Sequence, residues 1–411
     1  MRKGKRWLAA AVSAAMIVQS LASVGPVYAA DDGVSIADTF TDSSFRSYVS
    51  SNFDTDSNGY LSDAEISNVT SIDVSKCSPA ISSLNGVELF TNLSKLDCNE
   101  QSIRNLDIEN LENLEYIDVS SNRIDSLTLP VSAEKLTYLD ISGNKITSLT
   151  SLADYNNLVL LNANSTNLSS IDVSNMKGLK VLGVSGTTIS TLDLGSNMEL
   201  TTLYCDSMRS LPVLDVSGHE KLKNLYCAGA KSDSGVVVRS SITKLDVSGD
   251  IVLGSLDCSN SYVAELNIDN TPALTTLDCS NTRLTSIDVS KNTSLSYLDV
   301  SSNVLGAVDF TANTALRELY VKDTGINKLD VSTLTNLVNL DASSNSLAEL
   351  DIASNSLLEK LYISDNNIQG IKLDGHPDLK ELEIDNNNLV AIDISVCPKL
   401  YGDDGVFSCS G

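Results

Sequence analysis

The stretch Leu274-Thr-Thr-Leu277-Asp-Cys279-Ser-Asn-Thr-Arg-Leu284-Thr-Ser-Ile287-Asp-Val289-Ser-Lys-Asn-Thr-Ser is followed at Leu295-Ser-Tyr-Leu298-Asp-Val300 by its own beginning. Leading leucines recur at Leu93, Leu114, Leu136, Leu158, Leu179, Leu200, Leu222, Leu253, Leu274, Leu295, Leu316, Leu337, Leu358, Leu379 and Leu400, nearly all 21 or 22 residues apart. The one long step runs from Leu222 to Leu253. A period of this length cannot bury a core within one unit, so it builds a stacked solenoid with capped ends. Each unit writes L-x-x-L-x-V/C/I twice, Leu277-Asp-Cys279 being echoed by Ile287-Asp-Val289. Two short strands per coil are expected, with Leu274, Leu277, Cys279, Leu284, Ile287 and Val289 pointing inward, because side chains alternate along a strand.

Asn122, Asn144, Asn303, Asn345, Asn366 and Asn387 recur where the chain leaves the first strand and turns. A buried asparagine there can bond the exposed backbone of the next turn, forming a ladder. Thr166, Thr187, Ser261, Thr282 and Thr324 take the same place in other coils, as smaller polar substitutes. These residues resemble the leucine-rich repeat family, most closely the short bacterial variety with two nested motifs per repeat that occurs in secreted, internalin-like surface proteins. The resemblance implies a β-rich solenoid of about fourteen coils over residues 69–401, serving as a binding scaffold rather than an enzyme. It is interrupted by the insertion 229–241 and by an irregular coil between Met208 and Leu214.

Residues 1–30 read as a secretory signal peptide: Arg2, Lys3, Lys5 and Arg6 precede an apolar run, and Val27-Tyr28-Ala29 supplies a small-residue cleavage site. Its removal leaves 24 basic against 53 acidic residues, a net charge of −29. Nucleic acid and membrane insertion of the mature chain are thereby disfavoured, and a monomer bearing a protein or glycan ligand on a cell surface is expected. Cys98, Cys205, Cys227, Cys258 and Cys279 occupy a slot held elsewhere by Val119 and Ile141, so they read as small core residues with free thiols. Cys397 and Cys409 lie outside the repeat slot, where a disulfide could tie down the last coil to the C-terminal tail at 402–411 or the thiols could stay free.

Residues 31–68 form a separate cap. Asp54-Thr-Asp56-Ser-Asn58-Gly59-Tyr60-Leu61-Ser62-Asp63-Ala64-Glu65 matches the twelve-residue calcium loop of an EF-hand, D-x-D-x-N-G-x5-E, between expected helices at 43–52 and 63–69. Side-chain oxygens of Asp54, Asp56, Asn58, Ser62 and Glu65 and the Tyr60 carbonyl are the expected ligands. Calcium here would stiffen the cap, and a lone loop is expected to bind at about 10⁻⁴ to 10⁻³ M. The alternative is a helical cap that uses the same carboxylates only to end helices.

Outward positions of the first strand hold Tyr116, Tyr138, Tyr204, Tyr226, Tyr297, Tyr320 and Tyr362, seven of the twelve tyrosines outside the signal peptide. Stacked tyrosines favour strands in their own right, and they also give rigid contact area with a polar tip, so they are the candidate ligand-binding residues. Aspartates stack beside them, including Asp97, Asp118, Asp140, Asp257, Asp278, Asp299 and Asp341, and such an acidic aromatic face suits a basic protein segment or a sugar. No tryptophan follows Trp7, which counts against a dedicated glycan platform. A structural or glycan-attaching module of the cell envelope is the alternative reading. The two histidines, His219 and His376, are too far apart in the repeat to share a site, and no catalytic motif accompanies them.

Overall fold

The computed structural model describes residues 33–149, 152, 155–231, 236–402 and 405–410. The expected signal peptide, residues 1–30, lies outside them. Among the described residues no helix is long and apolar enough to cross a membrane.

The first strands of successive coils form one parallel sheet of 16 strands, running from Ser71–Asp73 to Val406–Ser408. Register is kept from coil to coil, Leu256 pairing with Leu277 and Leu277 with Leu298, so the central leucines share one buried column. The ladder continues past each strand end: the Val300 N–H donates to the Tyr320 carbonyl at 2.9 Å. The last strand lies in the stretch read from sequence as a tail, and pairs with Glu381–Glu383.

Second strands pair in two patches. Asn105–Asp107 pairs with Ser126–Thr128, and Lys244–Asp246 lies between Val213–Asp215 and Glu265–Asn267. Elsewhere among the described residues this side of the coil forms no ladder; one paired side suffices to fix the coil spacing. Within the insertion Ala230–Lys231 pairs antiparallel with Val237–Val238, and Ser240 then rejoins the stack opposite Ser261. Leu225 still pairs with Leu256 across it.

Two polar columns close the coils. At the first turn, Asn303 donates from Nδ2 to the Cys279 and Val300 carbonyls at 2.9 and 3.0 Å, while its Oδ1 accepts from the Leu284 N–H at 3.0 Å. Asn122, Asn144, Asn345, Asn366 and Asn387 repeat the pattern. Thr166, Thr187, Ser261, Thr282 and Thr324 each donate a hydroxyl to one carbonyl three residues back. The residue before this column is left-handed in nearly every coil, with φ near that of Ser121 (54°) or Asn281 (52°). Serine, asparagine, aspartate and glycine, types that tolerate that region well, fill it in most coils, and Glu100 does so before Gln101.

A second column lies at the opposite turn. Asn197, Asn313 and Asn355 each bond two carbonyls there, and His219 and His376 take the same place, each ring nitrogen lying 2.7 to 3.2 Å from a carbonyl oxygen. Both histidines are thus structural rungs. Asp250 occupies the same column, fully buried, with Oδ1 accepting the His219 N–H at 2.8 Å and Oδ2 without a hydrogen-bond partner among the described residues.

At the N-terminus, β1 (Val34–Ser35) leads into α1 (Ile36–Thr39) and α2 (Ser43–Asn52), then β2 (Tyr60–Leu61) and α3 (Asp63–Asn68). Asp42 caps α2 by accepting the Ser44 and Phe45 N–H groups. Phe40, Phe45, Phe53 and Phe90 interlock with ring centroids 5.3 to 6.0 Å apart and cover the first coil. The cap therefore supplies the apolar cover that a terminal coil lacks.

Burial pushes the Asp250 carboxyl up to about 7, against the bond from His219 and with the charges of Asp246 and Asp215 adding to the rise. An unfolded aspartate titrates near 3.9, so the folded form is favoured fully below that pH and loses stability as pH rises toward 7. Asp250→Asn keeps the shape and supplies the donor used by the other asparagine rungs. Its melting point should exceed that of the wild type by a margin that grows between pH 4 and 7 and is constant beyond, which melts across pH would measure.

Candidate functional site

The cap loop gathers its oxygens by short-range bonding. Asp54 accepts the Asn58 and Gly59 N–H groups at 3.1 and 3.0 Å, and Asp56 accepts the Asn58 N–H and Nδ2 at 3.1 and 2.9 Å. Gly59 adopts φ +85°, a conformation glycine takes without steric cost. Glu65 accepts from the Thr55 N–H and hydroxyl on one oxygen and from the Ser62 N–H and hydroxyl on the other, at 2.6 to 2.9 Å. Burial works against this charge, yet these four bonds hold the Glu65 carboxyl down to about 2.

Carboxylate oxygens of Asp54, Asp56 and Glu65 lie within 4.8 Å of one another. Asn58 lies against Asp56, its Oδ1 accepting the Tyr60 N–H at 2.7 Å. Ser62 is the N-cap of α3, in a reciprocal capping box with Glu65. The Tyr60 side chain is exposed, leaving its backbone as its contribution to the loop. An all-oxygen donor set with three convergent carboxylates fits a hard divalent cation.

On the strand face all seven candidate tyrosines are half-buried. Tyr116 and Tyr138 stack with centroids 4.2 Å apart, Tyr204 and Tyr226 stack at 5.1 Å, and Tyr297 tilts against Tyr320 at 5.5 Å. The Tyr320 hydroxyl donates to Glu318 and that of Tyr362 to Glu381. The seven thus make three pairs and one residue tied to a glutamate, spread along the sheet.

The aspartates have a local task that the sequence reading did not assign. Asp118, Asp140, Asp257, Asp278, Asp299 and Asp341 each accept, through Oδ1, the N–H two residues on, at 2.9 to 3.0 Å. Asp172, Asp193, Asp215, Asp246, Asp288, Asp309, Asp330, Asp351 and Asp393 do the same on the other side of the coil. Each carboxylate holds a turn, as an aspartate does when it mimics a backbone acceptor. Burial and the neighbouring Asp257 charge push Asp278 up to about 6.

The aspartate column is broken between Asp140 and Asp257. Asn162, Gly183, Tyr204 and Tyr226 take its place, beside Leu160, Val181, Thr202 and Asn224. Gly183 leaves room there for two amide side chains, since a Cβ would lie 2.8 Å from Asn162 Oδ1 and 2.9 Å from the Asn164 side chain and would displace them. Beneath the second half of this stretch Cys205 and Cys227 continue into Cys258 and Cys279, four buried free thiols in consecutive coils.

Family models for leucine-rich repeats match residues 112–154 (two copies) and 291–309. The functional domain of InlJ from Listeria monocytogenes, which includes a cysteine ladder, is 31% identical, with a TM-score of 0.78 over 92% of this chain and 81% of that one. The chain belongs to the internalin-like leucine-rich repeat proteins. A second internalin of Listeria monocytogenes, InlF, shares the fold at 18% identity and TM-score 0.52, over 92% of this chain and 97% of that one. YopM, a leucine-rich effector protein from Yersinia pestis, does so at 22% identity and TM-score 0.54, over 75% and 88% of the two chains. No curated protein sequence gives a significant match.

Cysteine chemistry in this internalin-like solenoid follows burial. Cys397 is buried and Cys409 exposed, both as free thiols, and no bridge joins them. The last coil is instead closed by the Val406–Ser408 strand and by Asp385, which accepts from Ser408 and Ser410. Burial pushes the thiols of Cys98, Cys258 and Cys279 well up, and Cys227 is raised first by its neighbour Cys205 and then by burial. Since thiolate is the reactive form, a maleimide should modify Cys409 quickly and Cys77 slowly in the native protein. The six buried thiols should react only after denaturation, as mass spectrometry of the labelled chain would record.

Proposed function

We propose that this internalin-like protein is a secreted or cell-surface binding scaffold that recognises a protein ligand through its strand face, centred on Tyr204 and Tyr226. One observation carries the reading: this stacked pair occupies the stretch of the face where the strand positions hold no carboxylate, flanked on both sides by aspartates. Stacked tyrosines give rigid contact area at little conformational cost, and the carboxylate beside them, Asp206, is half-buried and tied to the Ala228 N–H at 2.9 Å. Tyr116, Tyr138, Tyr297, Tyr320 and Tyr362 extend the contact toward both ends, and the flanking aspartates select against anionic partners. The N-terminal leader supports secretion.

Calcium at the cap is the second part of the reading, favoured by the convergence of Asp54, Asp56 and Glu65. With Asn58, the Tyr60 carbonyl and Ser62 they would hold the ion, whose charge would offset carboxylates crowded on a short loop. Thr55 and Ser62 already fix the direction of the Glu65 carboxylate. The ion would join two helices whose docking covers the first coil.

An immobilised panel of extracellular proteins and glycans tests the first part. Tyr204→Ser with Tyr226→Ser should weaken capture of a protein at least tenfold and leave the melting point nearly unchanged. Equal losses of capture and melting, or capture of glycans alone, would refute it, the latter favouring an envelope-attaching module.

Calorimetric titration tests the second. One saturable calcium site, lost in Asp54→Ala with Glu65→Ala together with a lower melting point, is expected of the mature chain. No site in either protein would leave the loop as a helix cap only, and many weak sites surviving the mutations would move calcium to the aspartate columns.

A further inference from the structure

The loop has a partner strand from elsewhere in the chain. β1 runs antiparallel to β2, with Val34 opposite Leu61 and Ser35 opposite Tyr60, and the Ile36 N–H donates to the Gly59 carbonyl at 3.1 Å. In an antiparallel ladder, a bond from the residue after one partner to the residue before the other marks the pair between them as non-hydrogen-bonded. Ser35 and Tyr60 are such a pair. Tyr60 therefore turns its own N–H and C=O away from β1, while Gly59 is held by it.

The direction of the Tyr60 N–H agrees, since it bonds Asn58 Oδ1 within the loop at 2.7 Å. Along an extended strand the N–H and C=O of one residue leave by the same edge, so the Tyr60 carbonyl also faces the loop side. We infer that β1 is the positioning element of the calcium site, fixing the peptide that offers the Tyr60 carbonyl to the ion. This rests on the calcium reading above and adds to it that the site is incomplete without a strand about twenty residues upstream.

Packing explains why β1 can serve. It runs directly into α1, where Ile36 is buried and Ser35 is the N-cap, and Phe40 follows, stacked on Phe90 in the cap core. The strand is thus clamped from its C-terminal side before any ion arrives. Without it, ordering the Tyr60 peptide would fall to the binding step, weakening calcium about tenfold. By linkage, calcium in turn tightens the docking of β1.

Gly33 offers a lever outside the ligand set, against the Tyr60–Leu61 backbone. A Cβ at this position would lie 2.9 Å from the Leu61 carbonyl oxygen, so Gly33→Val wedges β1 from β2. Calcium would be titrated calorimetrically into the mature protein, Gly33→Val, and a chain beginning at Ile36, with melts in chelator and hydrogen exchange of the Ile36 amide.

Both variants should bind about tenfold more weakly, with melting in chelator nearly unchanged, and calcium should slow Ile36 exchange in the wild type. A wild-type site with equal affinity in the truncated chain would overturn the inference and leave the calcium reading intact. A wild type without any site would remove both.

Discussion

A coil of this protein cannot satisfy its own backbone. Each first strand is three residues long, too short to bond within itself, and its N–H and C=O groups find partners only in the coils before and after. An unpaired buried peptide group costs about 1–3 kcal/mol, so a coil out of register would forfeit several such bonds at once. The sixteen-strand sheet, the asparagine rungs at one turn and the mixed rungs at the other all answer this requirement. The apolar columns supply the driving force; the polar columns decide the spacing and orientation at which it acts.

The same requirement accounts for much of what looks functional on the surface. An aspartate at the end of a strand, followed by a serine or threonine, holds the next turn through Oδ1, and repetition turns that local device into long acidic columns. Acidity of the face thus comes with the architecture. What stands out against it is the interruption at Asn162, Gly183, Tyr204 and Tyr226, where the repeat gives up its usual aspartate. Departures from a repeat carry more functional information than its regular members, because the regular members are explained by stacking.

How much of this could be read from the residues depended on how constant each slot is. Leucine, valine and isoleucine recur at fixed offsets, so the solenoid and its inward positions were legible, as was the first asparagine column. The helices at 43–52 and 63–68 were legible from the calcium-loop motif between them.

The second column was not, because asparagine, histidine and aspartate all serve there through different atoms. The strand Val406–Ser408 lacks the leucine signature and only its pairing reveals it. Pairing of β1 with β2 joins two residues to two residues across a gap of sequence, and no periodicity marks it. The tyrosine column was legible as a list but not as pairs, since pairing depends on side-chain direction in adjacent coils.

The pairing of Ala230–Lys231 with Val237–Val238 shows how such a chain changes length. The extra residues on either side pair with one another, the chain rejoins the stack at Ser240, and the first strands before and after remain neighbours in register. Within the stack the face can lengthen or shorten only by whole coils, in steps of about 4.8 Å. Reach is therefore a digital property of this molecule, set by how many coils are present, while insertions that pair with themselves vary the coil in an analogue manner and leave that count untouched.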